Sequence, residues 1–139
     1  MGTFGSGYNP RTGSYQFSGH IGSLGTFTQT VAIVGANPLI TTSRSDSGSL
    51  TVGSLFWTRV FPQAKNDGTA VVLYFLDASN GILGNATSPE QAVGSSWISY
   101  SNSYPIPVGT RSIQYPMRFI PHTGKDIDSF IDDNSMTIY

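Results

Sequence analysis

Half of the eight acidic residues in this 139-residue chain fall within one short stretch, as Asp126, Asp128, Asp132 and Asp133. Hard carboxylate oxygens this close together suit Ca²⁺, which takes about six to eight oxygen ligands. A bound cation relieves the repulsion between like charges. Asp126, Asp128 and Asp132 are therefore candidate ligands of a structural calcium. The spacing is not that of an EF-hand, because the loop glycine and the terminal glutamate are missing. The competing reading is a solvated turn in which an aspartate accepts hydrogen bonds from backbone N–H groups.

Catalytic arrangements are harder to assemble. His20 and His122 are the only histidines, and cysteine is absent. A Ser-His-Asp set can be drawn on paper from His122, Asp126 and one of many serines. However, no G-x-S-x-G elbow precedes a helix. A zinc site needs three or four ligands of the right type, and thiolate chemistry is excluded. No phosphate loop or dinucleotide fingerprint occurs. Gly2-Thr3-Phe4-Gly5-Ser6-Gly7 is glycine-rich but has no strand before it or helix after it. A glycosidase needs two carboxylates facing each other across a cleft, whereas the acids here sit mostly in one loop. The expectation is a protein without catalytic activity.

Binding chemistry is better represented. The chain carries two Trp, seven Tyr and eight Phe. Aromatic faces stack on the C–H surfaces of sugars, while neighbouring polar side chains bind hydroxyls. Most of the phenylalanines alternate with polar residues and read as core. Tyr8, Tyr15, Trp97, Tyr100 and Tyr104 fall at expected loops or strand ends, where a rim can form. Arg44, Asp46 and Arg118 are their candidate polar partners. For each aromatic taken singly, packing is the competing reading. Asn85-Ala86-Thr87 matches the N-glycosylation pattern but reads simply as loop.

These residues must be placed by strands. Phe27 to Ile33 alternates apolar and polar side chains, as a half-buried strand does. In the run from Leu50 to Phe61, Leu55, Trp57, Arg59 and Phe61 face one way, and Phe56, Thr58 and Val60 the other. Val71 to Leu76 is β-branched and aromatic, as a central strand should be. Asp77 to Gly81 is a turn, with Asn80-Gly81 supplying positive φ. Ile82 and Leu83 start the return strand, and with Trp97 to Ser101, Arg111 to Ile120 and Phe130 to Tyr139 the count is roughly seven or eight once the opening Gly13–Phe17 strand is included. Pro116 cannot donate to a ladder, which predicts an edge position or a bulge for its strand. No stretch carries a helical period. The fold class is all-β: a two-sheet antiparallel β-sandwich, or jelly roll. Residues 13–139 form one domain, and the Gly-rich residues 1–12 read as a flexible arm.

Charged residues make up 11% of the chain and the net charge is −1, so the basic footprint of a nucleic-acid binder is missing. No apolar run reaches the length of a membrane span, and no signal peptide precedes the strands.

The C-terminal third carries a family resemblance. Pro107-Val108-Gly109-Thr110-Arg111-Ser112-Ile113, followed by a strand and the Asp-rich close from Gly124 to Tyr139, resembles the ending of galactose-binding-like jelly rolls. Gly13-Ser14-Tyr15-Gln16-Phe17 is similar to their opening strand, Gln29-Thr30-Val31 to their Q-x-V strand, and Val71 to Ser79 to their central hairpin. The likeness covers about residues 12 to 139, in patches. Two departures stand out. The family's N-terminal N-x-x-F-E segment has no counterpart, and Asn134 stands where an apolar residue is usual. The resemblance implies a carbohydrate-binding or structural β-sandwich. It also implies that calcium, where present, is held by an acid at Asp132 together with a first-strand acid, which is not apparent here.

Two functional readings follow. One is a virion component, a capsid decoration or tail protein, that docks on viral capsid or tail proteins, forms a homo-oligomer and engages host glycans. A short free-standing chain without cysteine or leader, preceded by a Gly/aromatic arm, suits that role. The other is a carbohydrate-binding module cut from an extracellular protein. The expected location is the virion or, on the second reading, the extracellular space. Neither reading involves membrane insertion.

Overall fold

The computed structural model describes residues 11–13, 16–21, 25–60, 67–91, 94–122 and 126–139; the side chains of residues 19–21, 25, 126 and 128 are outside that description. The described strands are β1 (Phe17–Ile21), β2 (Gly25–Ala32), β3 (Thr51–Val60), β4 (Gly68–Leu76), β5 (Ile82–Thr87), β6 (Ile98–Pro105), β7 (Ser112–Ile120) and β8 (Asp126–Ile138). A five-residue helix, α1 (Thr42–Asp46), lies between β2 and β3. Two four-stranded antiparallel sheets form the sandwich, in the orders β1-β8-β3-β6 and β2-β7-β4-β5. The expected two-sheet antiparallel fold is thus the observed one. Among the described residues, no helix is long and apolar enough to cross a membrane.

Strict alternation builds β3. Val52, Ser54, Phe56, Thr58 and Val60 are buried, while Thr51, Gly53, Leu55, Trp57 and Arg59 are half-buried on the opposite face. The inward set meets Val71, Leu73 and Phe75 of β4 and Ile113, Tyr115, Met117 and Phe119 of β7 in one apolar core. A polar bridge crosses this core: the hydroxyls of Thr58 and Thr69 meet at 2.7 Å, and Thr58 donates to the Phe130 carbonyl at 3.0 Å.

The Pro107–Ile113 run has a structural explanation. Thr110 is fully buried and its hydroxyl donates to the Pro107 carbonyl at 2.7 Å. Gly109 takes a φ of 85°, which a side chain disfavours. Arg111 then reaches α1, donating to Asp46 at 2.8 Å and to Ser45 Oγ at 3.3 Å.

Two expectations are corrected. The strand containing Pro116 is not at an edge, since β7 lies between β2 and β4. The β4–β7 ladder is interrupted instead. Its pairs run from Gly68↔Ile120 to Val71↔Met117 and resume at Tyr74↔Gln114 with no change of register. The missing proline N–H falls within that gap. The acidic stretch is not a loop either, because it lies within the thirteen-residue β8. A bulge there, between Trp57↔Asp132 and Leu55↔Ser135, holds Asp133 at φ 45°. Before the bulge the odd residues Ile127 and Ile131 face the core, and after it the even residues Met136 and Ile138 do. The extra residue resets the side-chain parity, so both halves of β8 contribute to one core.

Candidate functional site

The outward face of the β1-β8-β3-β6 sheet carries a group of polar and aromatic side chains. Cross-strand register sets three rows on it: Ser103–Gly53–Thr137, Ser101–Leu55–Ser135 and Ser99–Trp57–Asp132. The first two rows line a shallow open trough. Its polar side chains are hydroxyls and the Asn102 amide, with Leu55 and the bare Gly53 between them. Tyr139 closes one end: its ring edge stands within van der Waals distance of where a Gly53 Cβ would be, and its hydroxyl donates to Ser103 Oγ at 3.3 Å.

Trp57 closes the other end. The Arg11 guanidinium lies 3.7 Å from the Trp57 ring centroid, a cation–π contact. Beyond it, Arg59 lies 4.8 Å from the Trp97 ring centroid and 5.6 Å from that of Phe130. Burial lowers the pKa of Arg59 from its ordinary value.

Arg11 is fixed from below by β8. The Asp132 carboxylate is largely buried. It accepts the Arg11 N–H at 2.7 Å, the Thr12 N–H at 3.2 Å and the Asp133 N–H at 2.8 Å. Asp133 accepts the Thr12 hydroxyl at 2.5 Å and pairs with the Arg11 guanidinium. The Thr12 and Arg11 hydrogen bonds hold the Asp133 carboxyl below its ordinary pKa. Residues 11 and 12, assigned from sequence to the flexible arm, are thus tied to the sheet; residues 1–10 lie outside the described residues.

As arranged, Asp132 and Asp133 do not fit a calcium site, because both carboxylates are already ringed by N–H and O–H donors and a guanidinium. No group of three or more metal-ligating side chains gathers among the described residues. The side chains of Asp126 and Asp128 lie outside the description.

The other candidate binding residues that the structure describes do not converge. Tyr8 and Tyr15 are outside the described residues. Trp97 does reach the outward face, under Arg59. Tyr100 and Tyr104 pack inward instead, opposite Phe56 and Val52, and Tyr100 contacts the Phe56 ring at 5.7 Å. They were expected at a rim, but their register on β6 puts them on the core side. Burial raises the Tyr104 pKa, the neighbouring Tyr100 adds to this, and Asn102 opposes it. Arg44 is half-buried at α1 and donates to the Leu39 carbonyl at 2.9 Å. Arg118 belongs to the opposite sheet, between Thr26 and Ala70. His122 pairs with Glu90 at 2.5 Å, and its backbone N–H donates to the buried Asp67.

Sequence reasoning missed the trough and Arg11. A signal for the trough was present. Ser99, Ser101 and Ser103 alternate with Tyr100, Asn102 and Tyr104, which marks a hydroxyl face opposite an aromatic one.

No family model matches this chain, and no curated protein matches it significantly. Solved structures do share its fold. The enzymatically active domain of tailspike protein 4 from bacteriophage CBA120 matches with a TM-score of 0.57 at 16% identity, over 86% of this chain and 14% of that one. A chain of infectious bursal disease virus, Gt strain, matches with a TM-score of 0.57 at 15% identity, over 89% of this chain and 29% of that one. The CBM22-1 xylan-binding domain of Paenibacillus barcinonensis Xyn10C matches with a TM-score of 0.57 at 9% identity, over 96% of this chain and 78% of that one. The chain therefore spans less than a third of the two viral chains. At these identities the likeness is one of fold, a β-sandwich shared by carbohydrate-binding modules and viral proteins.

Proposed function

We propose that this chain is a non-catalytic binding and structural module of the galactose-binding-like kind, a virion component that docks on protein neighbours and binds neutral glycans on the outward face of the β1-β8-β3-β6 sheet. The observation that carries the glycan reading is the trough itself. Its side chains are uncharged, rich in hydroxyls and bounded by Tyr139 and Trp57. Neutral sugars need such a surface: rings for their C–H faces and hydroxyls for theirs. The viral and xylan-binding fold neighbours support the two halves of the proposal.

Calorimetric titration with neutral oligosaccharides of the xylan and galactan types tests the glycan half. Binding is expected in the wild type, with a loss of at least tenfold in Trp57→Ala and in the combined Ser101→Ala, Ser103→Ala variant. Absence of binding to every neutral oligosaccharide at millimolar concentration would sink it. Co-purification with an assembled particle tests the virion half. A second reading, an extracellular carbohydrate-binding module, is favoured by the coverage of 78% of the xylan-binding domain. It predicts the same trough with no particle association.

A further inference from the structure

β8 is paired on both sides only from Ser129 to Ile131. β3 follows it to its end, but β1 covers only Asp126 to Ile131. The mutual bonds between Thr51 and Tyr139 fix the ladder phase, so the odd residues 135, 137 and 139 bond to β3. The N–H and C=O groups of Asn134, Met136 and Ile138 therefore point the other way. Among the described residues nothing pairs with them.

The space beside this open margin is a groove between the sheets, running along β2, itself an edge strand. Two adjoining cavities make it up, and Val31 and Met136 line both. Ile40, Ile138 and Tyr115 add apolar wall, and among the described residues no side chain lining it is charged. The Tyr115 hydroxyl, on a residue only 3% exposed, closes no hydrogen bond, although Ser54 and Asn134 stand near it. A free backbone edge above an apolar floor is what an added strand requires. Such a strand must be uncharged, with larger side chains at alternate positions.

The chain contains such a segment. Residues 1–10 carry no charged side chain, and Phe4, Ser6 and Tyr8 share one parity. The described residues that follow this segment lead away from the open margin of their own copy. Gly13 turns the chain at φ 65°, and Thr12 and Arg11 then cross the outward face of β8 toward Trp57 on β3, away from the open margin. We propose that residues 1–10 of a second copy add a strand along Asn134–Ile138 and fill the groove against β2, so that two copies exchange segments. Reciprocal exchange of this kind gives a closed dimer.

The absence of cysteine makes a clean test possible. F4C and M136C variants, one isotopically labelled, are mixed and mildly oxidised, and the cross-linked peptides are identified by mass spectrometry. The expected result is an F4C–M136C disulfide joining labelled to unlabelled chains. Removal of residues 1–10 is expected to convert a dimer to a monomer by light scattering, with the far-UV circular dichroism retained. Three results would each overturn the proposal: no such disulfide, an F4C–M136C bond within single chains of the double variant, or a full-length chain that is monomeric at tens of micromolar.

Discussion

The Arg11 guanidinium covers the Trp57 ring at 3.7 Å, on the same face and at the same end as the hydroxyl-lined trough. A sugar stacking on Trp57 must displace it. An exposed cation–π contact is worth about 0.5–1 kcal/mol. Arg11→Ala should therefore tighten binding of a neutral oligosaccharide by roughly two- to fivefold, this being that energy expressed as an equilibrium ratio. Calorimetry reads the change. Weaker binding in Arg11→Ala would mean that the guanidinium contacts the ligand rather than competing with it.

The contact should also respond to pH. Asp133 holds Arg11 and Thr12, and those hydrogen bonds depress its pKa in the folded state. A carboxylate with a depressed folded pKa contributes stability that is fully present above its unfolded pKa. That contribution is lost as pH falls through the folded value. Arg11 should thus leave Trp57 only in acid, below the ordinary carboxylate range, with a change in tryptophan emission. A Trp97→Phe background isolates the Trp57 signal. Asp133→Asn keeps a residue type that tolerates positive φ and removes the titrating group, so the acid step should vanish. Persistence of the step in Asp133→Asn would assign it to another group.

Asp132 accepts three backbone N–H groups, two of them from the incoming segment at residues 11 and 12. Asp132→Ala leaves those donors short of an acceptor in a largely buried position. Thermal stability should fall by about 1–3 kcal/mol, and by more than in Asp126→Ala. A chelator should leave the wild-type midpoint unmoved. A midpoint that drops with chelator in the wild type but not in Asp132→Ala would instead reveal a metal.

Much of this fold can be read from local alternation. The two faces of β3 and the positive φ of Asn80 at the β4–β5 turn follow from residue order alone. The bulge in β8 was readable in principle, since Ile127 and Ile131 share one parity and Met136 and Ile138 the other. The interior position of β7 was not, because a gap in one ladder can absorb a proline as well as an edge can. The site was less legible still. Trp57 meets Arg11 across a sequence separation that no local pattern encodes. Tyr100 and Tyr104 look like rim residues until register with Phe56 and Val52 turns them inward.

The bridge between the sheets has a direction. Each threonine hydroxyl carries one proton. Thr58 donates its proton to the Phe130 carbonyl at 3.0 Å, so at 2.7 Å it must accept from Thr69. Both side chains are fully buried. Thr58→Val therefore leaves a buried donor on Thr69 without its acceptor and costs the carbonyl a partner, for about 1–3 kcal/mol. Thr69→Val leaves only an unused lone pair on Thr58 and should cost less. The double variant removes the orphaned donor, so it should be no less stable than Thr58→Val alone, with a coupling energy of about 0.5–3 kcal/mol. Denaturant unfolding of the four proteins in the cycle measures this. Equal, additive losses from the two single substitutions would show that the hydroxyls do not form a relay.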